Sequence, residues 1–215
     1  MSNVIIPNSV TNIGEDAFYG CTNLSYVTIP NSVTSIGDRA FQDCDRLGRI
    51  TIPNSVTSLG YGAFRSCNAL YAATIGNSVT SIDDYTFDSC KSLSDVTIPN
   101  SVISIGISAF EECPSLMRIT IPNSVTSIGK KAFIRCYRLN SITIGNSVTS
   151  IGKNAFEGCD SLRDMYLYSI TPPNAEELDF PSRIVIHVPI GSGDSYRNAE
   201  SWSAYSEQII EDIVV

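Results

Sequence analysis

A 23-residue unit recurs seven times along this chain, with no insertion or deletion between copies, starting at Ile6, Ile29, Ile52, Ile75, Ile98, Ile121 and Ile144. A strict period of that length narrows the fold before any other property is considered. One such unit cannot bury its own apolar edge, so successive units stack as turns of a coil and equivalent residues form continuous columns. The fifth position is Val in every copy, from Val10 to Val148, and the eighth is Ile, or Leu in Leu59. The thirteenth is Phe18, Phe41, Phe64, Phe87, Phe110, Phe133 and Phe156, leaving Phe180 alone outside the column. The sixteenth is Cys21, Cys44, Cys67, Cys90, Cys113, Cys136 and Cys159, which accounts for every cysteine. The nineteenth is Leu, from Leu24 to Leu162.

Local patterning assigns a shape to each turn. Leu47–Ile52 ends in alternating, β-branched residues and reads as a short strand. Pro53-Asn54-Ser55 turns the chain, and Ser58–Cys67 reads as a short helical or 3₁₀ turn. Strands of successive units then pair in parallel about 4.8 Å apart, giving an array roughly 35 Å long. The expectation is an α/β repeat solenoid. Its parallel β-sheet lines the concave face, and the bulkier short helical or 3₁₀ turns spread the other side.

The unit resembles the leucine-rich repeat of the BspA-like, or treponemal, class. The motif stands here as Cys44-x-x-Leu47-x-x-Ile50-x-Ile52-Pro53-x-x-Val56-x-x-Leu59-Gly60-x-x-Ala63-Phe64. Departures are few. Gly76 and Gly145 replace the turn proline, Asp83 the glycine, Thr86 the alanine, and Ala73 the strand residue. The resemblance implies a right-handed array, and a surface or secreted protein that adheres to host matrix or to other microbes.

The repeats, with a partial unit before the first, occupy residues 1–168, and residues 169–215 form a C-terminal capping segment. Alternation from Ile184 to Val188 suggests a last strand, and Ser195 through Trp202 and Tyr205 reads as helical. This too resembles the terminal segment of the same class, with Trp202 as a lid over the last turn. At the other end only Val4 and Ile5 match a preceding unit, so an open strand edge predicts either a longer array or self-association there. No signal peptide is recognisable at Met1–Pro7, which leaves a cytoplasmic site open beside the implied extracellular one. No apolar run is long enough to span a membrane. A net charge of −8 argues against general nucleic-acid binding.

Candidate chemistry is sparse. The cysteines are odd in number and spaced one per unit, with parallel side chains expected at the coil spacing; they read as buried free thiols rather than disulfides or a metal set. His187 is the only histidine and reads as structural or solvent-facing. The outward column Thr28, Thr51, Thr74, Thr97, Thr120 and Thr143 suits an exposed strand, with a hydroxyl array facing ice or a glycan as the alternative. The Asn column from Asn8 to Asn146 reads as a turn-stabilising ladder bonding nearby backbone. Individuality lies where units differ. On the strand face these are Tyr26, Arg49, Tyr71, Asp95, Arg118, Ser141 and Asp164, a candidate docking strip rich in interface-type side chains. The sixth unit carries Lys130, Lys131, Arg135 and Arg138 with no acid, a candidate basic patch on the turn side. No nucleophile–base pair, phosphate loop or metal cluster appears, so no catalytic residue, cofactor or metal is expected. The chain reads as a non-enzymatic interaction scaffold with a protein or glycan partner; a structural spacer in a longer array is the alternative.

Overall fold

The structure is a computed structural model that describes residues 2–214. The stacked coils are present as the period demands. Tyr26–Thr28, Arg49–Thr51, Ala72–Thr74, Asp95–Thr97, Arg118–Ile121, Ser141–Ile144 and Asp164–Leu167 form the strand face. They align in parallel at a constant offset of one unit; Arg118 pairs with Ser141 and Ser141 with Asp164. Alternation sorts the side chains: Ile50, Ile119 and Ile142 point into the core, while Thr51 and Thr120 face out. A second parallel ladder, which local propensity does not reveal, runs through two-residue strands such as Ser104–Ile105, Ser127–Ile128 and Ser150–Ile151.

The third side corrects one detail of the expectation. It consists of tight turns, but these are not helical or 3₁₀. Within each coil alternate N–H groups go in different directions. Phe41 donates to Ala63 O in the next coil at 2.8 Å, whereas Cys44 donates to Phe41 O within its own coil at 3.3 Å. Two residues per coil are left-handed, as with Arg39 (φ 51°) and Asp43 (φ 58°), and this interrupts any helix. The inter-coil bonds hold this side at nearly the strand spacing. Stacked Phe rings follow at 5.0 to 5.6 Å between centroids, so helical bulk does not spread it.

The core fills with the predicted columns. Each thiol from Cys44 to Cys159 does more than occupy space: Cys67 Sγ donates to Phe41 O at 3.1 Å and Cys90 Sγ to Phe64 O at 3.2 Å, each reaching back one coil. Among the described residues all seven cysteines are free, with Cys21 alone exposed. The Asn ladder is partial. Asn54 Oδ1 accepts from Asn77 N at 2.8 Å and Asn123 Oδ1 from Asn146 N at 3.0 Å, both next to a glycine that replaces the turn proline. Elsewhere serine does this work: Ser55 Oγ donates to Val33 O at 2.6 Å.

The C-terminal segment closes the stack. Asn174–Ala175 extends the second ladder, and Val185–Pro189 extends the strand face. Ile209–Ile213 adds one further strand beyond the one read from sequence as last. Between them lie a helix at Gly193–Asn198 and a 3₁₀ turn at Ser203–Gln208. Trp202 is fully buried, its Nε1 donating to Pro173 O at 2.8 Å. Phe180 continues the ring column, 5.9 Å from Phe156. At the other end Asn3–Ile5 pairs only with Tyr26–Thr28 among the described residues, and Ile5 is 78% exposed. Among the described residues no helix is long and apolar enough to cross a membrane.

Candidate binding face

The strand-face strip divides into two halves. In the first, Arg49 and Asp95 share one column, separated by Ala72. Tyr71 precedes its strand by one residue and stands in the neighbouring column. Its ring rests where Gly48 leaves space; a Cβ on Gly48 would lie 3.3 Å from Tyr71 Cε1. The Arg49 guanidinium lies 6.0 Å from the Tyr71 ring centroid, so this pair is brought together across coils. Such an exposed cation–π contact contributes about 0.5–1 kcal/mol. Tyr26 stands apart, paired with Asn3 and exposed.

In the second half Arg118, Ser141 and Asp164 line up in register. With Met117, Arg138, Asn140, Ser161, Arg163 and Tyr166 they line a shallow groove of about 530 Å³. A second groove, about 510 Å³, includes Thr97, Thr120, Thr143, Asn123, Gly145 and Tyr168, and shares Arg118 with the first.

The sixth-unit cations are divided by the fold. Arg138 lies beside the strand-face groove, its Nη2 4.0 Å from Met117 Sδ. Arg135 pairs with Glu112 of the preceding coil at 2.8 Å. Lys130 and Lys131 share a hollow with Arg65, Asp88, Glu111 and Glu112. A unit without acids thus acquires them from its neighbour, one repeat away. In the same hollow burial pushes the Asp88 carboxyl above its usual range, although Arg65 Nε sits 2.7 Å away.

His187 takes a structural position that its sequence neighbours do not announce. Its Nδ1 lies 2.8 Å from Asp212 and its Nε2 3.5 Å from Asp164, and the ring stacks on Tyr166 at 4.2 Å. Asp212 comes from the added strand, so only the cap's topology unites the three. The arrangement ties the cap to the last coil. Among the described residues no group of three or more His, Cys, Asp or Glu side chains is placed to hold a metal.

Comparison with known proteins supplies the context for this face. The model of the BspA type leucine rich repeat region matches six copies, over residues 1–95 and 80–174. The chain is similar to a T. pallidum leucine rich repeat protein, at 25% identity and a TM-score of 0.64, covering 96% of this chain and 82% of that one. It shares its fold with the pneumococcal vaccine antigen PcpA, at 14% identity and a TM-score of 0.58, covering 99% and 80%. A leucine rich cell surface protein of Faecalibacterium prausnitzii is 30% identical with a TM-score of 0.49, covering 85% of this chain. The chain spans 61% of that protein's length. No curated protein matches.

Proposed function

This chain belongs to the BspA-type leucine-rich repeat family, and we propose that it is a non-enzymatic interaction scaffold, displayed at a cell surface or secreted, whose strand face docks a host or microbial macromolecule. One observation carries the reading. Core and turn residues repeat almost unchanged, while the exposed strand-face positions differ from coil to coil and concentrate Tyr and Arg. A rigid array that varies only there presents a preorganised surface, and little ordering entropy opposes binding to it. Family resemblance supports the surface location and the adhesive role.

The test is capture of immobilised matrix proteins by the full chain and by a variant with Tyr26, Arg49, Tyr71 and Arg118 changed to Ala. Docking through the strand face predicts loss of about tenfold or more in affinity, since aromatic and arginine anchors dominate interface energetics. Unchanged capture would remove the strand face from consideration. No capture by either chain would favour the rival reading, a spacer coil with no ligand of its own, which the near-identity of the seven units supports.

A further inference from the structure

Three of the chain's 14 lysine and arginine residues gather on one spot of an otherwise acidic molecule. Arg118, Arg138 and Arg163 come from three successive coils and from three different positions of the repeat, so they form no column; the stacking alone brings them around one groove. All three are exposed, and among the described residues none forms an ion pair. The carboxylate in the groove, Asp164, is turned to the His187 ring at 3.5 Å. Asp95, one coil before Arg118 in the same column, makes no ion pair with it. Unpaired guanidinia in close array are the donors best suited to carboxylate and sulfate oxygens, which they hold bidentately.

The surface beside them narrows the ligand further. Arg118 also borders the threonine groove, so the cationic site opens onto Thr120, Thr143 and Asn123, with the 39% exposed ring of Tyr168 as a wall. Hydroxyls and amides on a flat sheet match the hydrogen-bonding groups of a sugar, and an aromatic face matches the apolar face of a pyranose ring. A peptide strand would need a free sheet edge; Ser141–Ile144 and Asp164–Leu167 are paired on both sides, and the unpaired side of Arg118–Ile121 is faced by Asp95–Thr97 of the preceding coil. We propose that the two grooves form one site for an anionic saccharide, its carboxylate or sulfate held by Arg118, Arg138 and Arg163 and its ring laid along the threonine groove against Tyr168. This rests on the interaction-scaffold reading and names the ligand class of its face.

The test is calorimetric titration of the full chain, at low and at physiological salt, with four hexamers: a heparin-derived hexasaccharide, hexagalacturonate, neutral maltohexaose and hexaglutamate. At least one anionic saccharide is expected to bind, and the one that does separates sulfate from carboxylate as the recognised group. Maltohexaose should not bind, and affinity should fall as salt screens the guanidinia. Changing Arg118, Arg138 and Arg163 to Gln, with the circular dichroism and melting curve unchanged, should weaken binding about tenfold or more, and Tyr168→Ala about threefold or more. The proposal fails if neither anionic saccharide binds, if the triple variant binds as the parent does, if hexaglutamate binds as tightly as the sugars, or if Tyr168→Ala changes nothing. No saccharide binding together with retained capture of matrix proteins overturns this inference alone; loss of both overturns the scaffold reading with it.

Discussion

Burial pushes the Cys44 thiol up to about 12, and those of Cys67, Cys90, Cys113, Cys136 and Cys159 well above their ordinary value of 9.0. These residues link stability to pH in a definite direction. The folded state holds its thiol protons, whereas the unfolded chain releases them near pH 9. The stabilisation is therefore complete below pH 9 and is lost as pH rises toward the folded values. With six such thiols the limiting slope is about 8 kcal/mol per pH unit, at about 1.4 kcal/mol for each proton retained. Urea denaturation under a reductant should give the same stability at pH 7 and 8, and a steep fall between pH 9 and 10. Changing Cys90 and Cys113 to Ala should lower that slope by about a third. A slope unaltered by the double variant would mean that other groups drive alkaline unfolding. The column reads from sequence as small apolar side chains, and its burial follows from that. The thiol hydrogen bond does not, because its acceptor is a Phe carbonyl of the preceding coil, 26 positions earlier.

Two of the seven turns replace the proline with glycine, and this difference belongs to the turn as an element. At Gly145 a Cβ would lie 2.7 Å from Asn123 Cα, and the Gly145 N–H donates to Ile121 O at 2.9 Å. Proline would both collide and remove the donor. Gly145→Pro brings the turn closer to the repeat consensus, yet it is expected to destabilise by about 2–4 kcal/mol from overpacking and the lost hydrogen bond. Chemical denaturation measures this; a variant as stable as the parent would show that the coils separate freely there. The strand face was readable because β-branched alternation is a local signal. The turn side was not. Its left-handed positions carry Arg39, Tyr85, Ser108 and Lys131 as well as Gly62, so no glycine column marks them. Its bonds to the next coil leave no trace in local propensity. The binding face was half readable for a related reason. Tyr71 and Arg49 stand out as variable residues, whereas Arg138 reads from sequence as part of the turn-side patch with Lys130, Lys131 and Arg135, since its neighbours in the groove come from the coils above and below.

For the molecule as a whole, strict periodicity makes the coil a removable part. Joining Thr28 to Ile52 recreates the Thr–Ile junction found in the other coils, so the core columns continue one unit shorter; only side-chain contacts of the deleted coil, such as Arg39 with Asp16 and Arg49 with Tyr71, leave with it. Deletion of residues 29–51 should therefore give a folded, shorter array that unfolds cooperatively. Its urea m-value should fall by roughly a ninth, in proportion to the surface lost. Stability should drop by about one coil's nearest-neighbour contribution. Deleting residues 121–143 tests the same additivity at a different place. The fold should survive equally well, but Arg138 and Thr143 leave with the coil, and Arg118 and Arg163 change neighbours. Denaturation curves should barely distinguish the two deletions, whereas titration with the heparin-derived hexasaccharide or hexagalacturonate should. Retained saccharide binding in the first and loss in the second would separate what the repetition supplies, a uniform scaffold, from what the differences between coils add. Equal loss in both would mean that the site depends on array length rather than on the arginines of adjacent coils. Failure of either deletion to fold would show that the coils cooperate beyond nearest neighbours, with the cap and the open end coupled through the Phe and Cys columns.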